Sequence, residues 1–192
     1  MGKAIKLITS ILICEGAGLV GSIFTAPAVA SWYKGLSRPG FAPPDWVFAP
    51  VWTILFLLMG ISLYLVWEKN WQINVSLNDS NKEYWNPISK RLWVGSWKEE
   101  NAIAVFGLQL GLNISWSVIF FGLKSPDIAF FEIIMLLFAI LYTIVNFYRI
   151  SKAAAFLLLP YIFWVSFAAV LNLFILILNW GSPELSCFFC NI

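Results

Sequence analysis

The sequence predicts an all-α integral membrane protein, a bundle of five transmembrane helices forming one domain over residues 1–192. Three observations carry this. Of the 192 residues, 60% are apolar and only 11% charged, whereas soluble domains are charged at roughly a quarter of their positions. Apolar stretches near the ~20 residues needed to cross ~30 Å of hydrocarbon recur along the chain, at 7–29, 48–67, 102–123, 128–148 and 153–180. Between them lie two long polar or aromatic connections, at 32–47 and 68–101, and two tight turns, at 124–127 and 149–152.

The first run follows Lys3 and Lys6 and ends near Ala28-Val29-Ala30, which has the look of a signal-peptidase site. It is far longer than the ~7–15-residue core of a signal peptide, and Glu15 interrupts it. The run is therefore expected to stay as a span. Its small residues Cys14, Gly18, Ser22 and Ala26 form a ladder at four-residue spacing, suited to close packing inside the bundle.

Next comes WYKGLSRPGFAPPDWVFAPVW, residues 32–52, with four prolines, three charges and six aromatic side chains. Proline restricts the unfolded chain and makes ordering such a strap less costly. After the second span, 68–101 mixes charges of both signs with Trp71, Trp85, Trp93 and Trp97, a composition typical of a membrane interface. Residues 89–100 could form a helix lying on the headgroups. The tight turns make spans three, four and five antiparallel neighbours. Cys187 and Cys190 in the tail are too few ligands for a structural zinc.

Lys and Arg distribute unevenly. Lys3, Lys6, Lys69, Lys82, Lys90, Arg91, Lys98, Arg149 and Lys152 fall on one side, and Lys34, Arg38 and Lys124 on the other. The positive-inside rule then places the amino terminus in the cytoplasm and the strap outside. The net charge of +2, with no basic cluster, gives no nucleic-acid footprint. The chain has no histidine, which removes Ser-His-Asp catalysis, His-ligated zinc and a His-ligated haem iron. No phosphate loop or dinucleotide fingerprint appears, so a conventional enzyme is hard to build.

The third span has two faces. Gly107, Gly111 and Ser115 line one, where small side chains let helices approach closely, and this face is expected to hold a homodimer. Gln109, Asn113, Trp116 and Phe120 line the other. Amides in hydrocarbon need partners or a cavity; Gln109, Asn113, Asn146 and Asn172 could bond one another or line a pocket. Trp52, Trp116 and Trp164 fall on three spans near the strap end. Such indoles beneath a rigid strap suit a flat, apolar, polycyclic ligand, while an interfacial belt would account for Trp32 and Trp46.

Trp32-Tyr33, Leu36, Arg38-Pro39, Phe41, Pro43-Pro44, Phe48 and Trp52 resemble the signature of the tryptophan-rich sensory protein/translocator protein family (TspO/MBR, peripheral benzodiazepine receptor). The resemblance continues through Leu112-Asn113, Trp116-Ser117, Leu159-Pro160-Tyr161, Trp164, Ala168 and Asn172, across all five spans. It implies a five-helix bundle, commonly homodimeric, with an internal pocket closed by the first loop and no obligatory cofactor. The ligands it implies are tetrapyrroles, protoporphyrin IX and haem. By motif match the pocket residues are Tyr33, Pro43, Pro44, Trp52, Asn113, Trp116, Ser117, Trp164 and Ala168. Some bacterial members are linked to light-dependent porphyrin breakdown, which would give Trp52 and Trp164 a chemical role. Two departures stand out: the connection at 68–101 is long, and no Lys or Arg follows Lys152, so the weak sterol motif of animal members is incomplete. Binding and sensing of tetrapyrroles leads; transport and light-driven degradation are the alternatives. Transport should leave broken mid-membrane helices or inverted repeats, and the sequence has neither.

Overall fold

Long apolar runs set the five spans. In the computed structural model, the backbone is described for residues 2–80 and 99–181, and side chains for 2–69 and 101–181. Helix α1 (Lys3–Ala30) carries Pro27 in its last turn. The Ser31 hydroxyl donates to the Pro27 carbonyl at 2.7 Å as the chain leaves the helix. A single turn, α2 (Trp32–Gly35), opens the strap, and a 3-10 turn at Asp45–Val47 closes it. Then follow α3 (Phe48–Ser80), α4 (Glu99–Ser117), α5 (Pro126–Ile150), α6 (Lys152–Leu157) and α7 (Leu159–Leu178). Among the described residues five segments are long and apolar enough to cross a membrane, α6 and α7 together making the fifth.

Three local features differ from the sequence expectation. Helix α3 runs on to Ser80, past the expected span end at 67; residues 68–80 contain neither Pro nor Gly to stop it. The fifth span breaks at Leu158, because Pro160 has no N–H to continue the ladder and constrains the residue before it. Helix α4 ends in a π turn, Val118–Gly122, sealed by the Leu123 N–H donating to the Val118 carbonyl at 2.9 Å. Such wide turns re-aim side chains and often mark functional positions. Most of the headgroup helix expected at 89–100, Trp85, Trp93 and Trp97, and the Cys187/Cys190 pair lie outside the described residues.

Small residues decide the closest contacts. A Cβ on Gly60 would lie 2.7 Å from the Ile11 Cα, so α1 and α3 meet backbone to backbone, while Gly18 sits under the Phe56 ring. Of the expected α1 ladder, Cys14 is buried and Gly18 packs on α3, but Ser22 and Ala26 face outward. Gly21 of α1 abuts Ser117 of α4. Phe106 and Phe147 stack at 5.6 Å and fix the register of antiparallel α4 and α5. Asn172 of α7 presents its amide to the first turn of α5, donating to the Pro126 carbonyl at 3.0 Å and accepting from Phe130 N–H at 3.1 Å. Ser62 of α3 donates to the Ala154 carbonyl of α6 at 2.8 Å. At the end opposite the strap, Lys6 and Glu68 pair at 3.0 Å across α1 and α3. The spans thus form a ring with one loose seam: α3 packs its backbone against α6 but not to a comparable extent against α7.

Candidate ligand site

The loose seam between α3 and α7 is filled by aromatic rings. Phe48 and Trp52, one turn apart on α3, face Trp164 and Tyr161, one turn apart on α7. Phe48 meets Trp164 edge-on at 6.4 Å, and Trp52 meets Tyr161 edge-on at 6.4 Å. Below, Trp52 stacks on Phe56 at 5.6 Å. Asn113 of α4 reaches across the bundle to donate to the Tyr161 hydroxyl at 2.9 Å. That bond joins the two faces expected to converge, and both residues are buried.

The strap supplies the roof. Its first turn drives Tyr33 into the bundle, where it is 1% exposed and touches Phe48 at 6.0 Å and Phe121 at 6.1 Å. The π turn presents Phe120 and Phe121 side by side; Trp116 stacks on Phe120 at 5.0 Å and meets Phe121 edge-on. Trp116 and Trp164 are therefore linked through Phe121, Tyr33 and Phe48, while Trp52 joins Tyr161 and, through the Tyr161 hydroxyl, Asn113. Trp32 turns inward too, edge-on to Phe120 at 5.7 Å, whereas Trp46 is 75% exposed. Of the two indoles that a belt would explain, only Trp46 is exposed.

Beyond α2 the strap closes on itself. The Arg38 guanidinium pairs with Asp45 at 2.7 Å and lies 5.1 Å from the Tyr33 ring centre. Burial pushes the Tyr33 phenol above its ordinary range, with Arg38 beside it pulling the other way. Pro43 and Pro44 help frame a shallow, open cleft of about 580 Å³ with Arg38, Pro39, Ala42 and Asp45. Phe41 fastens the strap to α7 by edge-on contacts with Phe167 and Phe174.

Asn179, which sequence reasoning did not single out, pins the strap. Its side-chain carbonyl accepts from Ser37 N–H at 2.9 Å, and its amide donates to the Ser37 carbonyl at 2.9 Å and the Ile175 carbonyl at 2.8 Å. An Asn just past a helix end is a familiar C-cap signal; its use as a latch depends on a partner 142 residues away.

The remaining expected residues divide. Ala168 is half-buried on α7, one turn beyond Trp164, and packs against the core. Ser117 faces α1 at Gly21. Gly107, Gly111 and Ser115 are exposed, with open space where a Cβ at either glycine would stand. The four amides do not bond one another in the contacts seen. Asn146 donates to its own helix at the Tyr142 carbonyl, and Gln109 has both amide atoms buried without a hydrogen-bond partner.

The model of the TspO/MBR family matches residues 10–178. The chain belongs to the TspO/MBR family. It is 41% identical over 175 residues to the tryptophan-rich protein TspO of Archaeoglobus fulgidus, covering 91% of this chain and 97% of that protein. The human translocator protein is 34% identical over 156 residues, covering 80% of this chain and 78% of that protein. A tryptophan-rich sensory protein of Cereibacter sphaeroides is 26% identical over 177 residues, covering 92% and 93% respectively. The TspO/MBR match spans the strap, the α4 face and both halves of the seam, so the aromatic cluster lies wholly within the family region.

Proposed function

We propose that this TspO/MBR protein binds and senses tetrapyrroles, porphyrin or haem, in the aromatic seam beneath the strap. The observation that carries the proposal is the paired arrangement of Phe48 and Trp52 against Trp164 and Tyr161 where α3 and α7 do not close on each other. A flat ring system can replace these edge contacts with stacking, and Asn113 and Tyr161 offer hydrogen bonds nearby. With no histidine in the chain, haem is held chiefly through its ring faces. Protoporphyrin IX should then bind within roughly tenfold of haem, or ~1.4 kcal/mol. Titration of purified protein, followed by the porphyrin absorbance and tryptophan quenching, tests this. Absence of saturable binding, or far tighter haem binding with a thiolate or tyrosinate spectrum, would overturn it.

Light-driven porphyrin breakdown is the second reading, favoured by oxidisable Trp52 and Trp164 on opposite sides of the seam. Homodimerisation through the outward stripe Gly107, Gly111 and Ser115 belongs to the same proposal, supported by its exposure.

A further inference from the structure

Among the described residues, Tyr33, Gln109, Trp116 and Glu132 hold buried polar side-chain atoms without a hydrogen-bond partner. Gln109, Trp116 and Glu132 lie within spans. Tyr33 belongs to the strap, is 1% exposed, and has a charged neighbour. The Arg38 guanidinium stands over its ring, 5.1 Å from the ring centre, without bonding the hydroxyl. A buried group with unused hydrogen-bonding capacity calls for an explanation, and here it adjoins a cation that also lines an open cleft.

That cleft offers few other donors. Its walls are Arg38, Pro39, Ala42, Pro43, Pro44 and Asp45. The prolines have no N–H, and the Ala42 N–H donates to the Pro39 carbonyl at 3.0 Å. The guanidinium is therefore the group that can hold an anion there, and its fork suits a carboxylate. Asp45 occupies it through a hydrogen bond of 2.7 Å. The two side chains remain 31% and 27% exposed, and an ion pair so open to water holds weakly. Another carboxylate can take the place of Asp45. On its other side, the Tyr33 ring touches Phe48 at 6.0 Å, and Phe48 touches Trp164 at 6.4 Å. Tyr33 thus stands between the cation of the strap and the rings of the seam.

Resting on the assignment of the aromatic seam as the tetrapyrrole site, we propose that Arg38 and the Tyr33 hydroxyl read a carboxylate arm of the ligand. The macrocycle lies against the seam rings with its acidic edge towards the strap. One carboxylate displaces Asp45 from the guanidinium and accepts a hydrogen bond from the Tyr33 hydroxyl. Arg38 is on this account a specificity-determining residue, separating carboxylated macrocycles from esterified ones. Asp45 is its built-in competitor, holding the guanidinium while the ligand is absent.

Fluorescence titration of the purified full chain with protoporphyrin IX and with its dimethyl ester tests the proposal, because esterification removes both carboxylates and keeps the macrocycle. The wild type should bind the free acid about tenfold more tightly than the ester, a difference of ~1.4 kcal/mol. Arg38→Gln should bring the two within about twofold, and Arg38→Lys should keep part of the preference through its charge. Tyr33→Phe, which retains the ring, should reduce the preference severalfold. Asp45→Asn removes the competitor and should tighten binding of the acid severalfold. A merely structural ion pair would behave otherwise, since losing either partner would weaken both ligands alike. Should the Gln variant fail to fold, the Asp45→Asn and Tyr33→Phe variants decide the matter by the direction in which the preference moves. Equal binding of acid and ester by wild type, an unchanged preference in folded Arg38→Gln, or weaker acid binding by Asp45→Asn overturns the proposal. Ester binding alongside such a result leaves the seam assignment standing; binding of neither ligand removes both.

Discussion

At the scale of single residues, the seam depends on indoles whose ring contacts are individually modest. Trp52→Phe or Trp164→Phe retains a ring but loses the indole N–H and its lower oxidation potential. Porphyrin affinity should fall by about 1 kcal/mol or less, in line with ~0.5–1.5 kcal/mol for an aromatic pair. Any light-driven porphyrin loss, followed as bleaching under illumination, should fall much further. Equal loss of binding and bleaching would reduce both residues to shape. Trp46→Phe is the proper control, since Trp46 is exposed whereas Trp32 packs on Phe120. Gln109 makes a different case. Its amide is 1% exposed with no partner at either atom, so Gln109→Leu should stabilise the ligand-free protein by about 1–3 kcal/mol, the cost of an orphaned buried polar group. Thermal melts in detergent measure it, and a fall in melting temperature would mean that the amide has a partner in the folded protein.

At the scale of helices, glycines with the same lack of side chain have opposite consequences. Gly60→Ala places a Cβ against the Ile11 backbone, which cannot swing aside as a side chain does. The α1–α3 pair must separate, at a cost of about 1–3 kcal/mol for overpacking, readable as a lowered melting temperature. Leu at Gly107 or Gly111 meets open space and should leave the monomer's melting almost unchanged. It should nevertheless shift a homodimer towards monomer in light scattering, because helix association in membranes depends on close approach of small residues. Dimers that persist in both variants would place the interface elsewhere. The sequence supplied the periodicity of the α4 stripe, but not which α1 residues pack. Gly18 is covered and Ser22 is not, because that depends on the crossing of α1 over α3.

For the whole molecule, the strap covers the aromatic seam by joining distant parts of the chain. Asn179→Ala removes three hydrogen bonds, two of them to Ser37, and leaves those backbone groups to find other partners. The strap should open more readily, seen as faster porphyrin association and release in stopped-flow and as earlier proteolysis near residue 37. Unchanged kinetics and proteolysis would leave the hold to Phe41 and the Arg38–Asp45 pair. The sequence by itself determined the five spans, the aromatic strap and the inward face of α4, because hydrocarbon thickness and helical periodicity act on neighbours along the chain. Only the tertiary structure decided that Trp32 turns inward, that Ser117 faces Gly21, that Asn179 latches Ser37, and that Glu132 stands unpartnered. Each of these depends on which side chains a remote helix brings near, and a polar or aromatic group's energy in the membrane is set by the partner it meets.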